Sequence, residues 1–113
     1  MKIIYADHAA TTRVKPEVLE KMRPYLTEEY GNPSSLYGFS YNSKRAVEQA
    51  RENIAGLIGA DVKEVYFTGC GTESDNWAIK GAAWANGKKG KHMITSKTEH
   101  HAVLHTCQYL EKQ

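Results

Sequence analysis

The residues of this chain best suited to chemistry lie in the turn Gly69-Cys70-Gly71-Thr72, which follows the β-prone run Glu64-Val65-Tyr66-Phe67 and opens a helical stretch. A strand that ends in a glycine-containing turn and leads into a helix aims several backbone N–H groups at one spot. The helix dipole adds partial positive charge there, so an anion belongs in such a turn. Gly69 and Gly71 carry no side chain to block close approach, and Thr72 offers a hydroxyl donor. Glu73 and Asp75 suit the first helical turn electrostatically but would repel an anion if they faced it, so they are expected to point away. Gly-Cys-Gly-Thr matches neither the nucleotide pattern G-x-x-x-x-G-K-S/T nor the dinucleotide pattern G-x-G-x-x-G. Local pattern alone therefore leaves an ordinary strand-to-helix turn open beside an anion site.

Histidines and cysteines supply the other candidates. His100 stands at an expected strand-to-helix junction, where α/β proteins bind ligands, although taken alone it also reads as a surface histidine. His101 and His105 are four apart on the expected last helix, a spacing that can bring two imidazoles to one metal. No Cys, Asp or Glu completes a ligand set and the H-E-x-x-H order is absent, so a wet helix face is the favoured reading and no metal is expected. Cys70 lies in the turn, where a helix N-terminus can activate a thiol. Cys107 shares a helical stripe with Val103 and Leu110, which suggests core packing.

These residues need elements to hold them. The pattern predicts a short extended start at Ile3 to Ala6 and a helix opening at Pro16, which Pro24 kinks or ends. A loop is expected over residues 30–35, Tyr-Gly-Asn-Pro-Ser-Ser. A long amphipathic helix follows, with Ser40 as N-cap, Val47, Ala50, Ile54 and Leu57 on its apolar face, and Gly59 as its stop. Next come a strand at 64–67, a helix from Glu73 to Asn86 closed by Gly87, a second strand at 92–95, and a final helix marked by Val103, Leu104, Cys107 and Leu110. Strand, helix, strand, helix argues for a parallel-type sheet with packed helices, an α/β fold. Parallel sheets need both faces covered, and two or three strands with four helices make a poor closed layer; the last helix also meets no Gly, Asn or Pro before Gln113. Both features point to a truncated chain, the alternative being the frayed end of a small complete protein.

Composition narrows the function classes. The 113 residues are 41% hydrophobic and 25% charged with a net charge of +2, which describes a globular chain rather than a disordered one. Basic residues are scattered, and their one cluster, Lys88-Lys89-Gly90-Lys91, is flanked by glycine and reads as a solvated turn; no nucleic-acid surface is expected. No apolar run approaches the ~20 residues a bilayer crossing needs, and the N-terminus acquires charge too early for a secretory signal. A cytoplasmic location without membrane attachment is the default expectation, and two cysteines in different settings suggest reduced thiols.

Four segments in order resemble the cysteine desulfurases, a family of pyridoxal-phosphate enzymes of the class V aminotransferase type. They are Tyr5-Ala6-Asp7-His8-Ala9-Ala10-Thr11-Thr12; Tyr30-Gly31-Asn32-Pro33-Ser34-Ser35; residues 67–80; and Ile94-Thr95-Ser96-Lys97-Thr98-Glu99-His100-His101-Ala102-Val103-Leu104. The joint presence of Thr-Glu-Ser-Asp-Asn and Thr-Glu-His is the specific part. The resemblance implies the N-terminal part of a pyridoxal-phosphate-dependent transferase-like fold, incomplete in this chain. Residues 1–15 would form an arm on the small-domain side, and residues 16–113 the beginning of the large cofactor-binding domain. It implies that Gly71 and Thr72 hold the phosphate of pyridoxal 5'-phosphate, and that His100 packs on the cofactor ring and passes protons. L-cysteine would be the substrate, an iron-sulfur scaffold or another sulfur-acceptor protein the partner, and a homodimer the assembly.

A pyridoxal enzyme also needs a lysine bonded to its cofactor. Neither Lys80 nor Lys97 matches the family's lysine, and Cys70 does not match its sulfur-accepting cysteine. Departures from the family pattern stand at His8, where asparagine or tyrosine is usual, near Tyr37 and Ser40, where histidine and glycine are usual, and at Cys70, usually glycine. A selenocysteine lyase or a small-molecule aminotransferase on the same fold, or a non-catalytic truncated chain, remain the alternatives.

Overall fold

Proline occupies the first position of the first helix, Pro16–Thr27 (α1), where its missing N–H would have had no partner. The computed structural model describes residues 3–113, which fall into two compact units, one ending at Val65 and the other beginning at Tyr66. Met1 and Lys2 of the expected N-terminal segment lie outside the described residues, and residues 3–6 form no regular element. Pro24 does not end α1. The helix runs on to Thr27, and the Pro24 carbonyl accepts the N–H groups of Glu28 and Glu29 at 2.9 and 2.8 Å. A proline this near a helix end removes one backbone bond and leaves the remaining turn intact.

The loop at 30–35 forms as its composition implies. Asn32 Oδ1 accepts the Ser34 N–H and the Asn32 carbonyl accepts the Ser35 N–H, both at 2.9 Å. Gly31 is demanded by close approach, because a Cβ there would stand 2.9 Å from both Cα and Oγ of Ser40. Ser40 ends a short 3-10 turn, Gly38–Ser40, and precedes the second helix, Tyr41–Ile58 (α2). It holds the expected N-cap position, but its buried side chain makes no cap bond. Gly59 stops α2 as expected, in the left-handed conformation at φ 68° and ψ 31°, and the Ala60 N–H reaches the Ala55 carbonyl at 3.0 Å.

The expected apolar face of α2 is not its buried face. Leu57 is 86% exposed, whereas Ser43 and Ala55 are buried and Ser43 Oγ donates to the Glu29 carbonyl at 2.5 Å. Periodicity marks which side of a helix is apolar; burial also needs a surface to meet it. Beyond α2, the 3-10 turn Val62–Glu64 is held reciprocally, Asp61 Oδ1 accepting the Lys63 N–H at 2.9 Å and Glu64 Oε2 the Asp61 N–H at 2.8 Å. The Arg51 guanidinium reaches from α2 to donate to the carbonyl of buried Val65.

The second unit carries helices Gly71–Ala85 (α3) and His101–Glu111 (α4), which pack against each other. α3 begins two residues before the expected Glu73. It ends at Asn86, whose side-chain amide donates to the Ala82 carbonyl at 2.9 Å, without a left-handed glycine at Gly87. On α4 the buried positions are Ala102 and Thr106, flanked by half-buried Val103, Leu104, Cys107 and Leu110. Thr106 Oγ1 donates to the Ala102 carbonyl at 2.7 Å, which lets a hydroxyl sit inside the helix contact.

The described residues contain no strand, so neither expected strand, at 64–67 or at 92–95, is formed among them. The helices of the expected α/β fold are present; the parallel-type sheet is not seen. A β-prone run favours extended backbone, but a strand exists only through a ladder with a neighbour. Ile94 is accordingly 89% exposed, and the buried apolar residues among those described are Ala55, Val65 and Ala102.

Candidate functional site

The turn at 69–72 is built by α3 starting at once after an extended residue, Cys70, with φ −166° and ψ 168°. Cys70 caps nothing with its side chain. The first intrahelical bond is the Ser74 N–H to the Cys70 carbonyl at 3.2 Å. Among the described residues no hydrogen bond takes the N–H groups of Gly71, Thr72 or Glu73, or the hydroxyl of Thr72. All four are donors on exposed residues at the positive end of a helix. Gly71 leaves open space, since a Cβ there would meet nothing within 4 Å.

Two hydroxyls gather at the carbonyl of Cys70. The hydroxyls of Thr68 and Ser74 lie 2.6 Å apart, and they stand 3.2 and 3.4 Å from the Cys70 carbonyl. Glu73 departs from the expectation that it points away: its Oε2 accepts the Gly69 N–H at 2.6 Å. A carboxylate at the third helical position satisfies this orphan donor and complements the dipole, which favours folding back. The signal was an acidic residue at that position of a helix, a capping pattern. A phosphate group fits the donors that remain, with Gly69 engaged by the chain itself.

His100 sits at the corresponding place on the neighbouring helix, as N-cap of α4 with φ −60° and ψ 148°. Its Nδ1 accepts the Ala102 N–H at 3.1 Å, and its carbonyl accepts from Val103 and Leu104 at 2.9 and 3.2 Å. Ring and backbone are thus both tied to the first turn of α4. Histidine is not a favoured capping residue, so composition carried no signal for this contact. Gly71 and Thr72 are adjacent at one helix start and His100 is at the other, with no hydrogen bond joining the two places.

The remaining candidates find other surroundings. His101 and His105 stack with ring centres 5.0 Å apart, and among the described residues no group of three or more His, Cys, Asp or Glu can hold a metal. Lys80 Nζ stands 4.8 Å over the Tyr109 ring, a cation–π contact between α3 and α4. Cys70 and Cys107 are free thiols, the first exposed. A surface depression along α2, lined by Tyr41, Lys44, Arg45, Glu48, Gln49 and Glu52, includes none of the site candidates. No helix among the described residues is long and apolar enough to cross a membrane.

A helix start with free donors beside these motifs is the setting in which the comparisons with known proteins are read. The class-V aminotransferase family model matches residues 4–113, and the chain belongs to that family. It is 58% identical to the cysteine desulfurase IscS of Clostridium botulinum strain Hall and 59% identical to that of Methanosarcina thermophila. Each match covers 99% of this chain and 28% of the relative, so the chain spans about 28% of the length of these relatives. Among solved structures, a NifS-like protein superposes with a TM-score of 0.85 at 42% identity, over 94% of this chain and 29% of its own. SspA in complex with cysteine matches with the same score and identity over 96% of this chain and 31% of its own. The resemblance to NifS- and IscS-type cysteine desulfurases, and to the transferase-like fold of pyridoxal-phosphate enzymes, is borne out.

Proposed function

We propose that this chain supplies the phosphate anchor and the ring-stacking histidine of a pyridoxal-phosphate-dependent cysteine desulfurase. Such an enzyme converts L-cysteine to L-alanine and passes the sulfur, as an enzyme persulfide, to iron-sulfur cluster assembly or to thiolation. The observation that carries the reading is the set of unpartnered donors at the start of α3, the N–H groups of Gly71, Thr72 and Glu73 with the Thr72 hydroxyl, in a chain 58% identical to a cysteine desulfurase. Gly71 and Thr72 hold the phosphate by backbone and hydroxyl hydrogen bonds, and the helix dipole favours its charge. His100, fixed on α4, packs against the flat ring. The bound cofactor supplies the electron sink that the chemistry requires.

Within these residues neither Lys80 nor Lys97 matches the family's cofactor lysine, so residues 1–113 on their own anchor without turning cysteine over. In the same reading residues 1–15 are an arm on the small-domain side, residues 16–113 belong to the large cofactor-binding domain, and the active assembly is a cytoplasmic homodimer that meets a sulfur-acceptor protein. The likeness to SspA in complex with cysteine supports an amino-acid thiol as substrate.

The test is an absorbance titration with pyridoxal phosphate in the protein expressed from its own gene. Thr72→Val keeps the shape of the side chain and removes one hydrogen bond to a charged group, about 1.5–3 kcal/mol, so affinity is expected to fall roughly 10- to 100-fold. Equal affinity in the variant refutes the anchor. His100→Ala is expected to reduce sulfide release more than cofactor retention. Sulfide release by residues 1–113 alone would overturn the claim that they anchor without turnover.

A further inference from the structure

We propose that the Asn86–Gly87 pair at the end of α3 is a site of spontaneous side-chain deamidation, and that the native helix cap holds the reaction back. The Gly87 backbone nitrogen, as its anion, attacks Cγ of Asn86. A C–N bond forms and the Cγ–Nδ2 bond breaks, so that ammonia leaves with the proton Gly87 gave up and a cyclic imide remains. Water then opens the imide at either carbonyl, and position 86 ends as aspartate or isoaspartate with no change of oxidation state. Both residues are exposed, and a following glycine has no Cβ to hinder the attacking nitrogen. Asn32, Asn42, Asn53 and Asn76 are instead followed by Pro33, Ser43, Ile54 and Trp77, and proline has no N–H to lose. Lys88, Lys89 and Lys91 follow in the same exposed stretch, and their positive charge favours the nitrogen anion.

The cap both restrains this reaction and is lost through it. Asn86 Nδ2 donates to the Ala82 carbonyl at 2.9 Å, and the Asn86 N–H reaches the same oxygen at 3.1 Å. Ring closure needs Cγ over the Gly87 nitrogen, so the side chain must first leave Ala82. That one neutral hydrogen bond slows the reaction roughly 2- to 10-fold. The turn adds to the restraint, because the Lys89 N–H donates to the Asn86 carbonyl at 2.7 Å. The Gly87 N–H itself is held weakly, 3.4 Å from the Trp84 carbonyl. In the product a carboxylate replaces the amide donor. It has no proton for the Ala82 carbonyl, and its charge stands at the negative end of the helix dipole. Deamidation therefore loosens the last turn of the helix whose first turn carries Gly71 and Thr72.

Peptide mapping by mass spectrometry tests this on the protein expressed from its own gene, incubated at neutral pH and body temperature. Expected is conversion at position 86 ahead of Asn32, Asn42, Asn53 and Asn76, with isoaspartate among the products. Conversion at 86 that does not outpace those four overturns the site. The native protein is expected to react more slowly than the protein in guanidinium chloride, by roughly 2-fold or more; equal rates overturn the restraint by the cap. Gly87→Ala places a Cβ 3.6 Å from the Ala83 and Trp84 carbonyl oxygens, an ordinary contact at a residue without a left-handed φ, so the variant keeps the turn. Its conversion at 86 is expected to fall severalfold, and conversion at the wild-type rate refutes attack by that nitrogen. Asn86→Asp carries the product charge from the start and is expected to lower the urea midpoint; a midpoint unchanged or raised overturns the loosening of α3. The wild-type mapping decides the site even if either variant fails to fold.

Discussion

Replacing Glu73 by glutamine is expected to move folding stability and phosphate affinity in opposite directions. Glu73 Oε2 accepts the Gly69 N–H at 2.6 Å in the first turn of α3. Glutamine keeps an acceptor oxygen but loses the charge, so a charge-assisted bond becomes a neutral one and the favourable term at the helix N-terminus, ~0.3–1 kcal/mol at exposed sites, disappears. Together these amount to a loss of about 1 kcal/mol, which a urea titration reads as a lower midpoint. The bound state gains. A phosphate with about two negative charges, seated one helical pitch (~5.4 Å) from the carboxylate, is repelled by ~1–1.5 kcal/mol in water-like surroundings. Physiological salt, with a Debye length of about 8 Å, roughly halves that repulsion. Affinity for pyridoxal phosphate in the glutamine variant should therefore rise roughly threefold at physiological salt and roughly tenfold at low salt. Titrations at two ionic strengths check both figures. Affinity that falls at both, or that ignores salt, would show that Glu73 supports the site rather than competes with it.

Four further substitutions probe the frame. Gly59→Ala places a Cβ at φ 68° and should cost ~1–2 kcal/mol in chemical denaturation, with an unchanged midpoint counting against the left-handed stop of α2. Gly31→Ala drives a Cβ to 2.9 Å from the Ser40 backbone and should lower the thermal midpoint by an amount equivalent to ~1–3 kcal/mol. Arg51→Met keeps the apolar stem but withdraws a charged donor from the Val65 carbonyl; a loss of about 1.5–3 kcal/mol is expected, and none if water replaces the guanidinium. Cys70→Asp supplies the cap that α3 lacks and should stabilise the protein by ~0.5–2 kcal/mol while weakening phosphate binding; a gain in both would refute the shared-donor account.

Features governed by neighbours in sequence were legible without coordinates. Pro16 at a helix start, Gly59 at a helix stop and Asn32 in its loop each act through their own backbone torsions or a partner two or three residues away. What the sequence did not reveal depends on distant surfaces. The runs at 64–67 and 92–95 have strand composition, yet a ladder is a relation between segments, and the described residues contain no strand. Leu57 and Ile54 mark an apolar stripe on α2, but Ser43 and Ala55 are what the loop carrying Glu29 and the turn ending at Val65 leave dry.

The same division explains the site. Two helix starts in the second unit looked alike as sources of N–H groups, and the dipole argument applies to both. They differ in who takes the donors. At α4 the ring of His100 accepts the Ala102 N–H, so part of that turn is already satisfied. At α3, Cys70 caps nothing and Glu73 reaches past the turn to Gly69, which leaves the N–H groups of Gly71, Thr72 and Glu73 unmet. In the proposed site, a preference of an anion for one start over the other would therefore follow from capping rather than from helicity. Glycine spacing alone could not separate an anion site from an ordinary turn, because the deciding residues are the cap and the third helical position, not the glycines between them.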